Sequence, residues 1–360
     1  MQRHTSIYLD LIRFGSALVV FVGHSSGQRY VGGLGWQVVP YMDEAVIFFF
    51  IISGFVIGYV TQQREVSCQD YALARAARIY SVALPAIVAT IVIDAYARSV
   101  DPAWYARLGH YQKETHGLEF IGATVFVNYL WYCSYAVGSN LPYWSLCFEV
   151  WYYVLFGVLL FAPARWRWWA TGALLLFVGP RIACYFPLWL LGVLAYRISA
   201  SGKVGRGLGG VAFFGSVGLI LLHQVWIARH GASPALLEAI LDRPNIIDDY
   251  ITAVLFACNV IGFNAIGASA AGLLKVVEKP IRWCAGATFT IYLFHMPVVL
   301  LLDAITPWPP TTWMRQLTIY GGTLVIAFAI AEFTERRKDA WRRGLARLSR
   351  LRPAAGVALR

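Results

Sequence analysis

Charged residues are scarce in this chain. Only 14% of its 360 residues are Asp, Glu, Lys or Arg, whereas 59% are hydrophobic. Soluble domains carry about a quarter charged residues, so this composition excludes an ordinary soluble protein and a disordered one. The six cysteines include no Cys-x-x-Cys pair, and we therefore expect neither a disulfide framework nor a metal site. The composition predicts a protein whose main solvent is lipid.

Long apolar segments occupy most of the chain. A helix crosses about 30 Å of hydrocarbon with roughly 20 mostly apolar residues, or somewhat fewer when its polar ends reach the interface. Eight segments come close to this length: 7–23, 45–61, 79–95, 143–161, 208–228, 250–272, 284–303 and 316–333. Two shorter apolar segments follow each other at 168–179 and 182–196 and complete the ten predicted spans. A further uncharged stretch, 120–148, has room for one span or two, and hydropathy alone does not decide between them.

The positions of Lys and Arg decide this question, because short cytoplasmic loops collect basic residues. If residues 120–136 crossed the membrane, the basic loops at 165–167 and 203–206 would face outward. We therefore predict that 120–136 is an interfacial or re-entrant segment. The basic start resembles a signal peptide, but Asp10 and Arg13 interrupt its apolar part, so we expect an uncleaved first span. The predicted fold is an all-α polytopic transmembrane bundle of about ten spans, with both termini cytoplasmic.

The net charge of +11 raises the question of an acidic partner. Residues 336–360 hold nine basic residues and one acid, which leaves only +3 on the other 335 residues. Trp341, Leu345 and Leu348 recur there at helical spacing, so the tail predicts a basic amphipathic helix on anionic membrane lipids. We therefore expect a membrane domain over 1–335, a cytoplasmic tail over 336–360, and no nucleic-acid partner.

Two ionisable residues share one face of the first predicted span. Arg13 and His24 are eleven residues apart, which is about three helical turns and roughly 16 Å. Asp10 precedes Arg13 by three residues and is its expected ion-pair partner. A cation in the membrane and an acid/base group near its outer edge thus lie on one face of the helix. The alternative for a lone histidine such as His24 is a structural hydrogen bond to a neighbouring carbonyl.

Further polar residues lie in the predicted spans or at their ends. Arg75 and Arg78 are spaced i, i+3, either as an ordinary basic flank or as a phosphate clamp. Glu149 lies in the outer half of its predicted span, near the depth of His24, where it would orient His24, act as a second acid/base group, or make a structural hydrogen bond. His295 lies in mid-span before Pro297, which is expected to free a backbone carbonyl of the preceding turn, and reads as a structural histidine. Ser53 beside Gly54 indicates helix packing.

Five segments of the chain resemble, in order, the acyltransferase 3 family of integral membrane acyltransferases, which modify bacterial surface and exported glycans. The segments are Tyr8-Leu9-Asp10-Leu11-Ile12-Arg13 leading to His24, Phe49-Phe50-Ile51-Ile52-Ser53-Gly54-Phe55, Arg75-Ala76-Ala77-Arg78-Ile79-Tyr80, Trp144-Ser145-Leu146 with Glu149, and Tyr292-Leu293-Phe294-His295. The resemblance covers essentially all of residues 5–335.

The resemblance implies roles for these residues. His24 is the histidine expected to act in acyl transfer. Arg13 is the intramembrane arginine paired with it and is grouped with the residues expected to bind acyl-coenzyme A. The pair Arg75 and Arg78 is expected to bind the phosphates of acyl-coenzyme A on the cytoplasmic side. The segment that ends at Glu149 is expected to line the same site, which makes Asp10, Ser53, Trp144, Ser145, Tyr292 and His295 supporting residues around these groups.

The chain departs from the family pattern in three places. The family commonly has proline directly after Arg-Ile-Tyr, where this chain has Ser81, and it commonly has Glu-x-Pro after the last span, where this chain has Glu332-Phe333-Thr334-Glu335. We also expect no hydrolase-like soluble domain after the last span. The Ser81 difference bears on how the helix that carries the arginine pair begins.

The resemblance predicts an O-acyltransferase of the bacterial inner membrane. The donor is expected to be cytoplasmic acyl-coenzyme A, acetyl by default, and the acceptor a hydroxyl of a glycan or a lipid-linked saccharide, with no resident cofactor or metal. His24 would act as a general base or accept the acyl group covalently. The competing class is a proton-coupled transporter, which the lack of an inverted repeat in the sequence disfavours. A structural scaffold leaves the shared helix face of Arg13 and His24 unexplained.

Overall fold

A computed structural model of the chain describes residues 1–63, 65, 67–105, 117–233 and 245–348. Within these ranges every regular element is a helix, and the only bridge of β type joins Val137 to Asn140. The α-helices are α1 (Arg3–Ser25), α2 (Gln28–Val31), α3 (Met42–Gln63), α4 (Cys68–Val100), α5 (Pro102–Tyr105), α6 (Leu118–Thr124), α7 (Trp144–Phe161), α8 (Ala164–Val178), α9 (Pro180–Ala200), α10 (Arg206–His230), α11 (Ile246–Ile266), α12 (Ala271–Ala285), α13 (Thr288–Ile305), α14 (Trp313–Leu317), α15 (Thr323–Phe333) and α16 (Lys338–Leu348).

Nine stretches in the described ranges are helical, long and apolar enough to cross a membrane. They are Arg3–Ser25, Trp36–Gln63, Cys68–Val100, Leu141–Phe161, Pro180–Ala200, Arg206–His230, Ile246–Ala285, Thr288–Ile305 and Trp313–Arg347. The all-α polytopic prediction is confirmed. The remaining predicted span, 168–179, falls on α8, whose 15 residues measure about 22 Å. This length falls short of the hydrocarbon thickness.

The stretch 120–136 is not a spanning helix. α6 ends at Thr124, and turns follow, in which Phe126 and Trp131 take positive φ angles of 58° and 52°. The prediction that this stretch does not cross the membrane as a helix is therefore confirmed. Its depth in the membrane and the cytoplasmic position of both termini stay predictions.

The chain divides into two compact units. The first unit contains Met1–Ser16, Asp43–Val66 and Leu174–Ala285, and the second contains Ala17–Met42, Ser67–Ala173 and Gly286–Arg360. α1 contributes to both, because the boundary falls after Ser16.

The first unit has a close helix contact between α3 and α9. A Cβ atom added at Gly54 would lie 2.1 Å from the carbonyl oxygen of Trp189, and one at Gly192 would lie 2.1 Å from that of Ile51. Ser53 extends the contact, since its hydroxyl accepts a hydrogen bond of 3.2 Å from the Trp189 indole. Glycine at both positions lets the two backbones touch, as the packing interpretation of Ser53-Gly54 predicted.

In the second unit, side chains cap two of the helices that carry candidate site residues, α4 and α13. The Ser67 hydroxyl accepts a hydrogen bond of 3.0 Å from the Asp70 amide and caps α4. At Ser81, where the family commonly has proline, α4 continues without a break. The Ser81 hydroxyl donates a hydrogen bond to the Arg78 carbonyl. At α13 the Glu335 carboxylate accepts from two amides of the first turn, at 3.0 Å each, where the helix dipole favours a negative charge.

The tail helix α16 packs within the second unit. Ala346 is buried, and the Arg342 guanidinium lies 3.7 Å from the Asp70 carboxylate at the start of α4. A helix over Trp341 and Leu345 is thus present as predicted, with part of its surface against protein. The predicted tail residues 349–360, and the side chain of Leu348, lie outside the described part of the chain.

Candidate functional site

Two histidines from distant parts of the chain meet in the second unit. The Nδ1 atom of His24, at the C-terminal end of α1, lies 3.1 Å from Nε2 of His295 in α13. Their rings are nearly parallel, with centroids 5.2 Å apart and planes 18° apart. His295 is fully buried, and its Nδ1 lies 3.1 Å from the carbonyl oxygen of Ile291. The arrangement connects His24 to a ring that is itself fixed to its own helix.

Pro297 shapes the backbone around His295. Proline has no amide hydrogen, so the carbonyl of Leu293, four residues earlier, loses its helical donor. The Asn140 side chain supplies a replacement with a hydrogen bond of 2.8 Å from Nδ2 to that oxygen. The prediction that Pro297 frees a carbonyl in the preceding turn is therefore confirmed, and the freed oxygen fixes the loop before α7 to α13.

A second hydrogen bond joins the start of α7 to α13. The hydroxyls of Ser145 and Tyr292 are 2.7 Å apart, and both residues are buried. Trp144 packs edge-on against Phe148 within α7. Because Tyr292 precedes His295 by three residues, it lies on the same side of α13. The segments of Ser145, His295 and His24 thus meet in one unit, as the family resemblance implies for residues of one site.

The arginine pair lies elsewhere in the second unit, on α4 facing α7. The Arg75 guanidinium lies over the rings of Tyr71 and Tyr153, 5.6 and 5.7 Å from their centroids. Tyr153 donates a hydrogen bond of 2.5 Å to the Glu149 carboxylate, and its hydroxyl lies within electrostatic range of Arg75 and Arg78. The structure thus connects Glu149 to the arginine pair through a tyrosine. The predicted role of Glu149 in orienting His24 stays a prediction.

An apolar groove of about 660 Å³ runs beside Arg75. Its walls come from the first half of α4, the second half of α7 and the turn at residues 125–126. Arg75 is the one charged residue among the described residues that line it, and the tyrosines 71, 80 and 153 add the ring surfaces. An elongated apolar ligand with an anionic end matches these walls chemically.

Arg13 belongs to the first unit. Its Nη2 donates to Asp10 Oδ1 at 2.9 Å and to the Ala285 carbonyl at 3.1 Å. The other Asp10 oxygen accepts a hydrogen bond of 2.8 Å from Arg282. The predicted pair of Asp10 with Arg13 is therefore confirmed, with Arg282 as a third member. The predicted pairing of Arg13 with His24 in function stays a prediction.

The turn that follows His24 is held by a network of charges that the sequence did not predict. Arg29 in α2 donates to Asp303 at 2.7 Å and to Asp101 at 2.8 Å, and its guanidinium lies 4.2 Å from the centre of the Trp104 ring. Asp303 also pairs with the buried Arg315. Burial lowers the pKa of Arg29, but hydrogen bonds to the two carboxylates hold it above its ordinary value, so this guanidinium stays charged.

Sequence reasoning did not single out Asn140 or Tyr153. It placed His295 among the supporting residues through the family resemblance and otherwise read it as structural, but it did not pair His295 with His24. His295 and His24 are 271 residues apart, and spacing carries no information at that distance. The available signal for His295 was an ionisable group in mid-span, which is costly in a membrane and therefore a functional candidate by default.

The fold and the apolar composition define a multi-pass integral membrane protein. The chain matches the family model of an acyltransferase domain over residues 6–332. The chain therefore belongs to the acyltransferase 3 family and is a membrane acyltransferase, as the sequence segments predicted. Comparisons with curated proteins and with solved structures gave no significant match. The family match gives no support to the transporter alternative.

Proposed function

We propose that this membrane acyltransferase moves an acyl group, acetyl by default, from acyl-coenzyme A to a hydroxyl of a glycan or lipid-linked acceptor. The observation that carries the proposal is the hydrogen-bonded pair of His24 and His295. A buried imidazole connected to a second one supplies a positioned acid/base group. The compact unit that holds this pair also holds the arginine pair and the groove.

The donor is the anionic partner in this proposal. Coenzyme A carries phosphates at one end and an extended pantetheine arm at the other. Arg75 and Arg78 present planar guanidinium donors suited to phosphate oxygens, and the apolar groove beside Arg75 suits the arm or the acyl chain. Arg13 is grouped with donor binding by the family resemblance. No resident cofactor is required.

In the transfer, His24 acts on the acceptor hydroxyl. The imidazole takes the hydroxyl proton while the hydroxyl oxygen bonds to the acyl carbon. The carbon–sulfur bond then breaks, and the imidazolium gives the proton to the departing thiolate. In a second route the imidazole itself receives the acyl group as the carbon–sulfur bond breaks and the thiolate leaves. The acyl group then passes to the hydroxyl oxygen, and the hydroxyl proton goes to the thiolate. Glu149 is proposed as an orienting or second acid/base group, and Trp144, Ser145 and Tyr292 as residues that shape the site.

The proposed location is the cytoplasmic membrane of a bacterium, with both termini inside. The basic face of α16 would then lie against the anionic inner leaflet. Such a topology matches the chemistry, because acyl-coenzyme A is cytoplasmic whereas exported glycans are modified on the outer side. Nucleic acid is not a proposed partner.

Donor binding by the arginine pair is tested by thermal unfolding of the detergent-solubilised protein. Acetyl-coenzyme A is expected to raise Tm, since a ligand at one hundred times its Kd contributes about 2.7 kcal/mol to the folded state. The double variant Arg75→Ala/Arg78→Ala should lose this shift. The control Arg343→Ala/Arg347→Ala removes two exposed arginines of α16 and should retain it. A wild-type protein that acetyl-coenzyme A does not stabilise, or a double variant with the full shift, would contradict the proposed donor site.

A further inference from the structure

We propose that His295 holds His24 in the tautomer that carries its proton on Nδ1, so that Nε2 of His24 is the nitrogen that works in the transfer. This inference rests on the proposed function and adds to it which atom reacts and which residue selects it. His295 is a positioning residue in this proposal, because it acts through His24.

The first step fixes the proton on His295. Its Nδ1 lies 3.1 Å from the carbonyl oxygen of Ile291, and a carbonyl oxygen only accepts hydrogen bonds. Nδ1 of His295 must therefore carry a hydrogen and donate it. The contact also fixes the ring to its own helix, one turn back along α13.

The second step fixes the charge of His295. The ring has no exposed surface. The Phe21 and Tyr292 rings pack against it in edge-to-face geometry, with their centroids 5.9 and 6.3 Å from the His295 centroid. A charged imidazolium would lose its hydration there, which is costly for a buried ion. A neutral ring has one N–H, already placed on Nδ1, so Nε2 of His295 holds a lone pair and accepts.

The third step passes this constraint to His24. Its Nδ1 lies 3.1 Å from the accepting Nε2 of His295, so the hydrogen between them belongs to His24. Neutral His24 then has its lone pair on Nε2. The Ile291 carbonyl thus determines which nitrogen of His295 carries the proton, and His295 in turn determines which nitrogen of His24 carries it.

The selected tautomer serves either route of transfer. If His24 is a general base, Nε2 takes the hydroxyl proton and later gives it to the coenzyme A thiolate. If His24 is acylated, the Nε2 lone pair forms the bond to the acyl carbon as the bond to sulfur breaks and the coenzyme A thiolate leaves. The acceptor hydroxyl oxygen then bonds to the acyl carbon, the bond to Nε2 breaks, and the hydroxyl proton goes to the thiolate. In water the free neutral side chain of histidine favours the opposite tautomer, with its proton on Nε2. The contact with His295 therefore reverses the tautomer that His24 would otherwise favour.

The tautomer is tested directly by ¹⁵N NMR of the full-length protein labelled at histidine, in detergent, with the His24 signals identified by their loss in His24→Ala. Wild-type His24 should show a protonated Nδ1 and an unprotonated Nε2. His295→Leu removes the acceptor and should shift His24 toward Nε2 protonation. His295→Gln keeps a side-chain oxygen that can accept and should preserve the Nδ1 proton. Met296→Leu, a neighbouring buried substitution, is the control for packing.

Turnover supplies the second readout, measured as thiol release from acetyl-coenzyme A in native membranes that contain the acceptor. We expect His295→Leu to lower kcat by about 10²-fold, within the range that a positioned base contributes, with little change in the KM for acetyl-coenzyme A. His295→Gln should recover part of kcat, and Met296→Leu nearly all.

The outcomes separate the inference from the proposed function. Wild-type His24 protonated on Nε2, or a tautomer unchanged in His295→Leu, overturns the inference even if acyl transfer proceeds. Equal losses in His295→Leu and Met296→Leu also overturn it, because they indicate a packing effect. Absence of thiol release from wild-type membranes overturns the proposed function, and with it the working role of Nε2, whatever the tautomer.

Discussion

The imidazole of His24 is the group on which the proposed transfer depends. His24→Ala removes both the base and the covalent acceptor, and we expect acyl transfer to fall by about 10²–10⁴-fold or more. The stabilisation by acetyl-coenzyme A should remain, because Arg75 and Arg78 are unchanged. The measurements are thiol release in native membranes and the Tm shift with acetyl-coenzyme A.

A second histidine provides the control for that variant. His230 is exposed at the end of α10, and its partner is the backbone carbonyl of Trp226, so His230→Ala should transfer at the wild-type rate. Full acylation of the acceptor by His24→Ala would remove His24 from the mechanism.

Residue-level prediction from the sequence worked where partners are near in the chain. The Asp10 and Arg13 pair followed from a spacing of three residues on one helix, and the structure contains it. The carbonyl freed by Pro297 likewise followed from local backbone chemistry. The contact of His24 with His295 did not follow, because it depends on how α1 and α13 pack, and local patterns do not encode that packing.

Between elements, Asp303 joins the turn after His24 to the last part of the chain. Its side chain is nearly buried and pairs with Arg29 and the buried Arg315. Asp303→Asn keeps the shape but removes the charge that pairs with the buried Arg315, while Arg29 retains Asp101. Breaking a buried ion pair in this way costs about 3 kcal/mol or more, so we expect a clearly lower Tm in detergent.

The matched variant for this prediction is Asp339→Asn on the exposed face of α16. It removes the same charge from the surface and should leave Tm nearly unchanged. Equal stability of the wild type and Asp303→Asn would mean that Arg29 and Arg315 do not depend on this carboxylate.

The contact between α3 and α9 tolerates no side chain at its closest point. In Gly192→Ala the new methyl group would lie 2.1 Å from the carbonyl oxygen of Ile51, so the two backbones would have to separate. Overpacking of this kind costs typically about 1–3 kcal/mol. Gly172→Ala in α8 meets nothing within 4 Å and should be neutral or slightly stabilising. Thermal unfolding of both variants tests the contact, and equal Tm values would contradict it.

At the scale of the whole molecule, apolar length and the positions of charges predicted most of the helices. Five of the ten predicted spans, 7–23, 45–61, 79–95, 182–196 and 208–228, fall wholly inside one α-helix. Each of these helices is longer than its predicted span, since apolar runs set the span but caps such as Ser67 set the end. The predicted span 284–303 begins four residues before α13, and 250–272 runs past the end of α11 into a 3₁₀ turn. The short α8 and the division into two units depend on tertiary packing, which composition does not report.

Two native cysteines provide a test of the predicted topology. Cys68 at the start of α4 and Cys133 in the turns after α6 are both exposed, and the distribution of basic residues predicts Cys68 inside and Cys133 outside. A membrane-impermeant maleimide applied to intact cells should therefore label Cys133, and Cys133→Ser should abolish the labelling. Permeabilised cells should additionally label Cys68, which Cys68→Ser would remove. Labelling of Cys68 in intact cells would reverse the orientation, whereas an unlabelled Cys133 would place the stretch 120–136 away from the outer surface.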